Sequence, residues 1–150
     1  MIFTECQIQR AIALLFQSRR NIRHLEGKSR VLKRLEKTEN SRGLIDEDPL
    51  SARPPLMSRY QTVVHDEDDI MVLYHQQRDN HLIVLCPRAE EWILKAAKQS
   101  NIELGKYGLP DEADRFHESV RIKQRAFDIL INEMLRKGNR RLMILAKFIQ

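Results

Sequence analysis

Three acidic side chains in a row, Asp46, Glu47 and Asp48, follow the short segment Gly43-Leu44-Ile45 and precede Pro49. Two aspartates two residues apart at a strand end can turn their carboxylates toward one point, where their repulsion is relieved by a cation or by protons. Magnesium suits such a pair, because it takes one or two carboxylates and completes its shell with water and phosphate oxygens. The same residues also fit a solvent-facing acidic turn ahead of a proline. A second candidate for chemistry is the basic segment carrying Lys28, Arg30, Lys33, Arg34 and Lys37. On a helix these would lay a positive face against a phosphate backbone, or stand as a solvated face.

Other patterns carry less. His24-Leu25-Glu26-Gly27-Lys28-Ser29 contains Gly-Lys-Ser but lacks the upstream glycine of a phosphate-binding loop, which excludes nucleotide hydrolysis there. The run Asp66 to Asp69 has no central glycine of a calcium loop and reads as a solvated turn. His24, His65, His75, His81 and His117 show no close spacing of zinc ligands, and Cys6 and Cys86 show no redox or zinc spacing, so they read as reduced core thiols. There is no Gly-x-Ser-x-Gly nucleophile. Trp92 reads as a core anchor rather than a stacking platform.

The elements that must position these residues follow from periodicity. Ile2 and Phe3 start a strand reaching Glu5. Ile8, Ile12, Leu15 and Phe16 mark the inward face of a helix, with Gln9, Arg10 and Gln17 elsewhere. Asn21 to Leu25 suits a second strand, Lys28 to Lys37 a helix turning Val31, Leu32 and Leu35 inward, and Ser41 to Ile45 a third, buried strand. This β-α-β-α-β order predicts a parallel sheet with Glu5 and Asp46 together on the edge formed by the C-terminal strand ends. Pro49 to Ser58 predicts an exposed, irregular connection that could act as a flap. Tyr60 to His65, Ile70 to His75 and His81 to Cys86 predict a β-meander joined to the sheet. From Pro87, placed in a first helical turn, helices take over: one carrying Trp92, Ile93, Ala96 and Ala97, one around Ala113 to Val120 continuing toward Arg136, and one from Arg140 to Phe148.

At 150 residues, with 42% apolar and 31% charged side chains, the chain fits one domain with a real core and not wholesale disorder. The organisation expected is a core over 1–48, a proline-rich loop and meander over 49–86, and a helical part over 87–150. The net charge of +5 is unevenly spread. Residues 1–42 hold ten Lys/Arg against four Asp/Glu, residues 43–91 four against ten, and residues 92–150 twelve against seven, giving +6, −6 and +5. An acidic centre between basic ends suits a protein that holds a divalent cation and draws phosphate around it. MIFTECQIQR has no basic leader before an apolar stretch, and no apolar run spans a bilayer, so a cytoplasmic protein without a membrane partner is expected.

A glutamate ending a first strand, then helix, strand, helix, and an Asp-x-Asp ending a third strand, resembles the Toprim (topoisomerase and primase) superfamily. The carriers are Glu5 in Ile2-Phe3-Thr4-Glu5, and Asp46 with Asp48. Pro87-Arg88-Ala89-Glu90-Glu91-Trp92 further resembles the Pro-Glu-x-Glu-x-Trp motif of small Toprim-like proteins. The resemblance covers residues 2–48 and, more loosely, 82–94. It departs from the family pattern at Cys6, where many members have glycine, and at Arg88, where the motif has glutamate. It implies an α/β, Toprim-like parallel core extended by the meander, with C-terminal helices. It also implies Mg²⁺ or Mn²⁺ held by Asp46, Asp48 and Glu90, Glu5 in general acid/base work, and a nuclease or related phosphotransfer activity on nucleic acid. The alternative it leaves is a non-catalytic binding or regulatory module beside an ATPase partner.

Overall fold

The computed structural model describes residues 1–150. Its six strands are β1 (Ile2–Thr4), β2 (Ile22–His24), β3 (Arg42–Asp46), β4 (Gln61–Val64), β5 (Ile70–His75) and β6 (Asn80–Leu85). Its six α-helices are α1 (Gln7–Leu14), α2 (Lys28–Leu35), α3 (Ala89–Gln99), α4 (Ala113–Ile122), α5 (Gln124–Arg136) and α6 (Arg140–Ile149). The strands form one mixed sheet in the order β2-β1-β3-β6-β5-β4, an α/β fold. The first four of these are parallel, and β5 and β4 extend the sheet as an antiparallel meander from β6. Glu5 and Asp46 therefore stand at the same edge, since Thr4 is level with Leu44 and Glu5 N–H donates to the Leu44 carbonyl.

Alternation along the strands divides the apolar side chains between two cores. Ile2, Leu44, Ile70, Val72, Ile83 and Leu85 face a large core built with α1 and α3 to α6. Phe3, Ile45, Leu73, Leu82 and Val84 face a smaller one closed by Val31, Leu32 and Leu35 of α2 and by Met57 and Tyr60. Helix α2 lies tight on β3: a Cβ on Gly43 would stand 2.8 Å from Leu35 Cδ1 and 2.9 Å from Val31 Cγ1. A side chain at that position would have to displace the methyl groups of Leu35, Val31 and Leu82.

Several expectations change. Pro55–Arg59 is a 3₁₀ turn with Met57 buried beneath it, so the loop after Pro49 is anchored at its far end by apolar burial. Helix α3 begins at Ala89, because the Pro87 carbonyl accepts from Asp48 N–H at 2.8 Å and Arg88 stays extended. The long helical stretch after Ala113 is two helices, broken at Lys123. Asp68 and Asp69 do not sit in a merely solvated turn. Asp69 accepts from Arg141 at 2.6 Å and Lys95 at 3.0 Å, Asp68 accepts from Arg140 at 2.8 Å, and Trp92 Nε1 donates to the Asp68 carbonyl. These bonds clamp the β4–β5 turn onto α3 and α6. The Arg141 guanidinium, which also covers the Trp92 ring, holds the Asp69 carboxyl below its ordinary range.

Asn80 performs the matching task at the opposite end of the sheet. Fully buried, it accepts from Ser41 N–H at 2.8 Å and donates to the Leu35 and Thr38 carbonyls at 2.9 Å each, fixing the end of α2 against β3 and β6. Asn80→Ala would leave the Ser41 N–H and the Thr38 carbonyl unpaired and the Leu35 carbonyl with the Thr38 N–H alone. The expected loss is about 3 kcal/mol, read as a lower urea midpoint at unchanged slope.

Candidate functional site

Glu5 lies between the end of β1 and the first turn of α1, and Asp46 closes β3. Between them stands Gln9, fully buried in the first turn of α1 although its polarity and phase assign it outward. Its Oε1 accepts from the Cys6 N–H at 3.3 Å, a donor left open at the helix start, and at 2.8 Å from the Glu5 N–H, which it shares with the Leu44 carbonyl. Its Nε2 donates to Asp46 Oδ1 at 2.7 Å. The same oxygen accepts from Ala89 N–H at 2.9 Å, so one carboxylate seats the N-terminus of α3. Glu5 Oε2 in turn accepts from Asp46 N–H at 2.9 Å. The signal for Gln9 was present as Cys-x-x-Gln at a helix start, the spacing by which a third-position glutamine reaches back to the cap.

Electrostatics follow from this packing. Burial, then the neighbouring charges of Glu5 and Glu90, push the Asp46 carboxyl up to about 7. Burial also raises Glu5, against the opposing pull of the Asp46 N–H and the Lys28 ammonium. The Cys6 thiol is raised, first by burial and then by Asp46 and Glu90, so it stays protonated. Glu90 is buried with one oxygen on His117 Nδ1 and the other, Oε2, without a partner. A cleft of about 200 Å³ opens beside these groups, lined by Glu5, Cys6, Gln7, His24, His117 and Arg121.

The structure thus gathers Glu5, Asp46 and Glu90 and adds His117, which spacing alone did not connect to the site. Asp48 sits at φ 48° and accepts from Ser51 Oγ at 2.6 Å in the following loop, and its charge contributes to raising Glu5. No group of three or more His, Cys, Asp or Glu side chains has the arrangement of a metal site. Lys28 opens α2 and donates to the Glu47 carbonyl at 2.9 Å, beside the acidic edge. Arg30, Lys33, Arg34 and Lys37 are exposed on or just beyond α2, with Arg30 4.0 Å from Glu26. Arg88 turns to Glu91 and Asp114. Cys6 and Cys86 are free and half-buried. No helix is long and apolar enough to cross a membrane.

No family model matches the chain, and no curated protein or solved structure matches it.

Because Asp46 titrates near 7 when folded and in the ordinary carboxylate range when unfolded, the folded chain binds the extra proton between those values. Its contribution to stability is full below the unfolded value and is lost as pH rises through about 7. In the presence of a chelator the chain should lose on the order of 2–4 kcal/mol on going from acid to mildly alkaline buffer. Asp46→Asn keeps an oxygen for Gln9 and Ala89 without the charge. It should flatten this dependence and exceed wild type in melting temperature at the alkaline end; a wild-type-like slope would assign the effect to another group.

Proposed function

We propose that the edge formed by Glu5, Asp46 and Glu90 is a Toprim-like site for magnesium- or manganese-dependent phosphodiester chemistry on nucleic acid. The observation that carries this reading is the elevation of Asp46 to about 7 by burial and by two further carboxyls, Glu5 and Glu90. Such crowding stores a demand for positive charge that either a proton or a cation meets. A divalent ion needs only one or two carboxylates from a protein when water and phosphate complete its shell. In this reading Asp46 and Glu90, whose Oε2 has no partner, would hold the ion, and Asp48 would join them on giving up its bond with Ser51. A bound ion would supply electrostatic stabilisation of the phosphoryl group. Glu5, with a carboxyl raised from its ordinary value, is suited to accept or return a proton beside it. Lys28 and the exposed Arg30, Lys33, Arg34 and Lys37 would position the phosphate backbone.

A second reading, a non-catalytic binding or regulatory module working with an ATPase partner, is favoured by specific observations. Asp46 Oδ1 already accepts two hydrogen bonds, and Asp48 is taken up by Ser51. Cys6 and Arg88 replace residues of the family pattern, and Arg88 is bound to Glu91 and Asp114.

The two readings part in one experiment. Glu5→Gln retains an oxygen for the Asp46 N–H but loses basicity. If Glu5 moves the proton, magnesium-dependent nicking of supercoiled plasmid should fall by about 10²-fold or more while nucleic-acid binding persists. Wild type that binds but never cuts, with magnesium or manganese, selects the module; equal cutting by Glu5→Gln removes Glu5 from the chemistry. Metal binding is read separately: Mg²⁺ or Mn²⁺ should raise the melting temperature of wild type and not of the Asp46→Asn/Asp48→Asn double variant.

The basic face is tested on its own. Exchanging Lys33 and Arg34 for Gln should weaken binding to unrelated sequences alike and lower the salt slope by about two. Wild type that binds neither single- nor double-stranded DNA or RNA at low salt would remove nucleic acid as the partner.

A further inference from the structure

A second polar cleft lies at the opposite end of the sheet from Glu5 and Asp46. It has a volume of about 420 Å³ and is lined by Glu36, Arg59, Gln61, His75, Gln77 and Arg78, among others. These residues come from separate elements: Glu36 ends α2, Arg59 ends the 3₁₀ turn, Gln61 starts β4, His75 ends β5, and Gln77 and Arg78 belong to the β5–β6 turn. The positions are fixed by backbone bonds, since Arg78 N–H donates to the His75 carbonyl and Asn40 N–H to the Arg78 carbonyl.

The polar atoms around this cleft are incompletely paired. His75 is 6% exposed, yet its Nδ1 has no hydrogen-bond partner. Tyr60, also 6% exposed, packs edge-on against the His75 ring at 5.2 Å, and its hydroxyl has none either. Burial and the nearby Glu36 push that hydroxyl up to about 12, so it remains an O–H donor. Glu36 gives one oxygen to Arg59, while its Oε1 is unpaired and lies 4.0 Å from His75 Nε2. The ion pairs of the cleft are Arg59–Glu36 and His75–Glu36, and Arg78 takes part in neither. Two guanidinium groups thus face one carboxylate, and one of them is free.

Buried polar atoms are nearly always satisfied, and leaving several unpaired in one place is costly unless something else pairs them. Of the groups that line the cleft, the Arg78 guanidinium is the one left short of an acceptor oxygen carrying negative charge, and the Gln61 and Gln77 amides beside it can donate and accept. The volume falls in the range of small-molecule sites. We propose that this cleft is a second binding site, separate from the acidic edge, that takes a small polar ligand through an oxyanion group, phosphoryl or carboxylate. Arg78 supplies the paired donors, His75 contacts the ligand from the floor, and Gln61 and Gln77 bond its polar remainder. Arg59 stays paired with Glu36 Oε2 and offsets part of that carboxylate's charge beside the anion.

Inorganic phosphate and succinate serve as probes on the full chain, followed by calorimetry and by NMR of the histidine ring nitrogens. At least one should bind saturably at a single site and shift the His75 ring signals. Phosphate alone would assign a phosphoryl ligand, and succinate alone a carboxylate. Arg78→Gln should weaken binding about tenfold or more, whereas Lys98→Gln, on the remote helix α3, should leave it unchanged. Should His75→Gln fail to fold, the wild-type ring signals still decide. The proposal is overturned if neither anion binds at millimolar concentration, if binding leaves the His75 signals in place, or if the two charge variants lose affinity equally.

Discussion

The arrangement of the acidic edge depends on how one carboxylate is buried. Asp46 ends the central parallel strand, and its Oδ1 takes donors from α1 through Gln9 and from α3 through Ala89. Two helix N-termini therefore converge on one acidic group, which favours its charge, while burial and two neighbouring carboxyls oppose it. The balance leaves Asp46 near neutral pH in its titration instead of in the acid range. The register of β1 on β3 follows from the same contacts, because Glu5 accepts from the Asp46 N–H while Gln9 holds the Glu5 N–H. Removing Gln9, which is neither acidic nor exposed, would leave the Cys6 N–H without a partner, the Glu5 N–H with the Leu44 carbonyl alone, and Asp46 Oδ1 with the Ala89 N–H alone.

The sheet has two halves with different duties. The parallel half produces the edge at which Glu5 and Asp46 meet. The antiparallel half has no such edge, and its acidic turn is spent on structure: Asp68 and Asp69 bind Arg140, Arg141 and Lys95 and so hold the helical layer to the sheet. Acidic runs of similar composition thus take unlike roles. What separates them is the direction the chain follows. Asp46 ends a strand pointing at two helix starts, whereas Asp69 lies in a turn beside a helix rich in arginine.

Much of the fold was legible because period-2 and period-3.6 patterns report burial directly. All six strands lie within or close to the segments those patterns mark, and the parallel-then-meander order follows from the lengths of the connections. Gln9 was not legible as a buried residue, because its burial is set by long-range bonding to Asp46, 37 positions away, and periodicity weighs only apolarity. His117 escaped for the same reason: its carboxylate partner, Glu90, is 27 positions away on another helix. The Asp-x-Asp pattern correctly drew attention to the end of β3, but spacing could not foresee that Asp48 adopts a left-handed conformation and bonds within its own loop.

Helix α2 joins the two ends of the sheet, and its charges are placed against its own dipole. Lys28 stands at its first position, where a positive charge is disfavoured, and Glu36 at its C-cap, where a negative one is. Each mismatch costs on the order of 0.3–1 kcal/mol in an exposed helix. Exchanging the two residue types would relieve both, so helix stability does not explain the choice. Their contacts do: Lys28 reaches the Glu47 carbonyl and lies in the field of Glu5, and Glu36 holds Arg59 and stands beside His75. A helix of eight residues is about 12 Å long, which sets the separation of its ends. Gly43 lets this rod lie close on β3, so the basic residues along its outer face are carried at a fixed distance from both the acidic edge and the polar cleft.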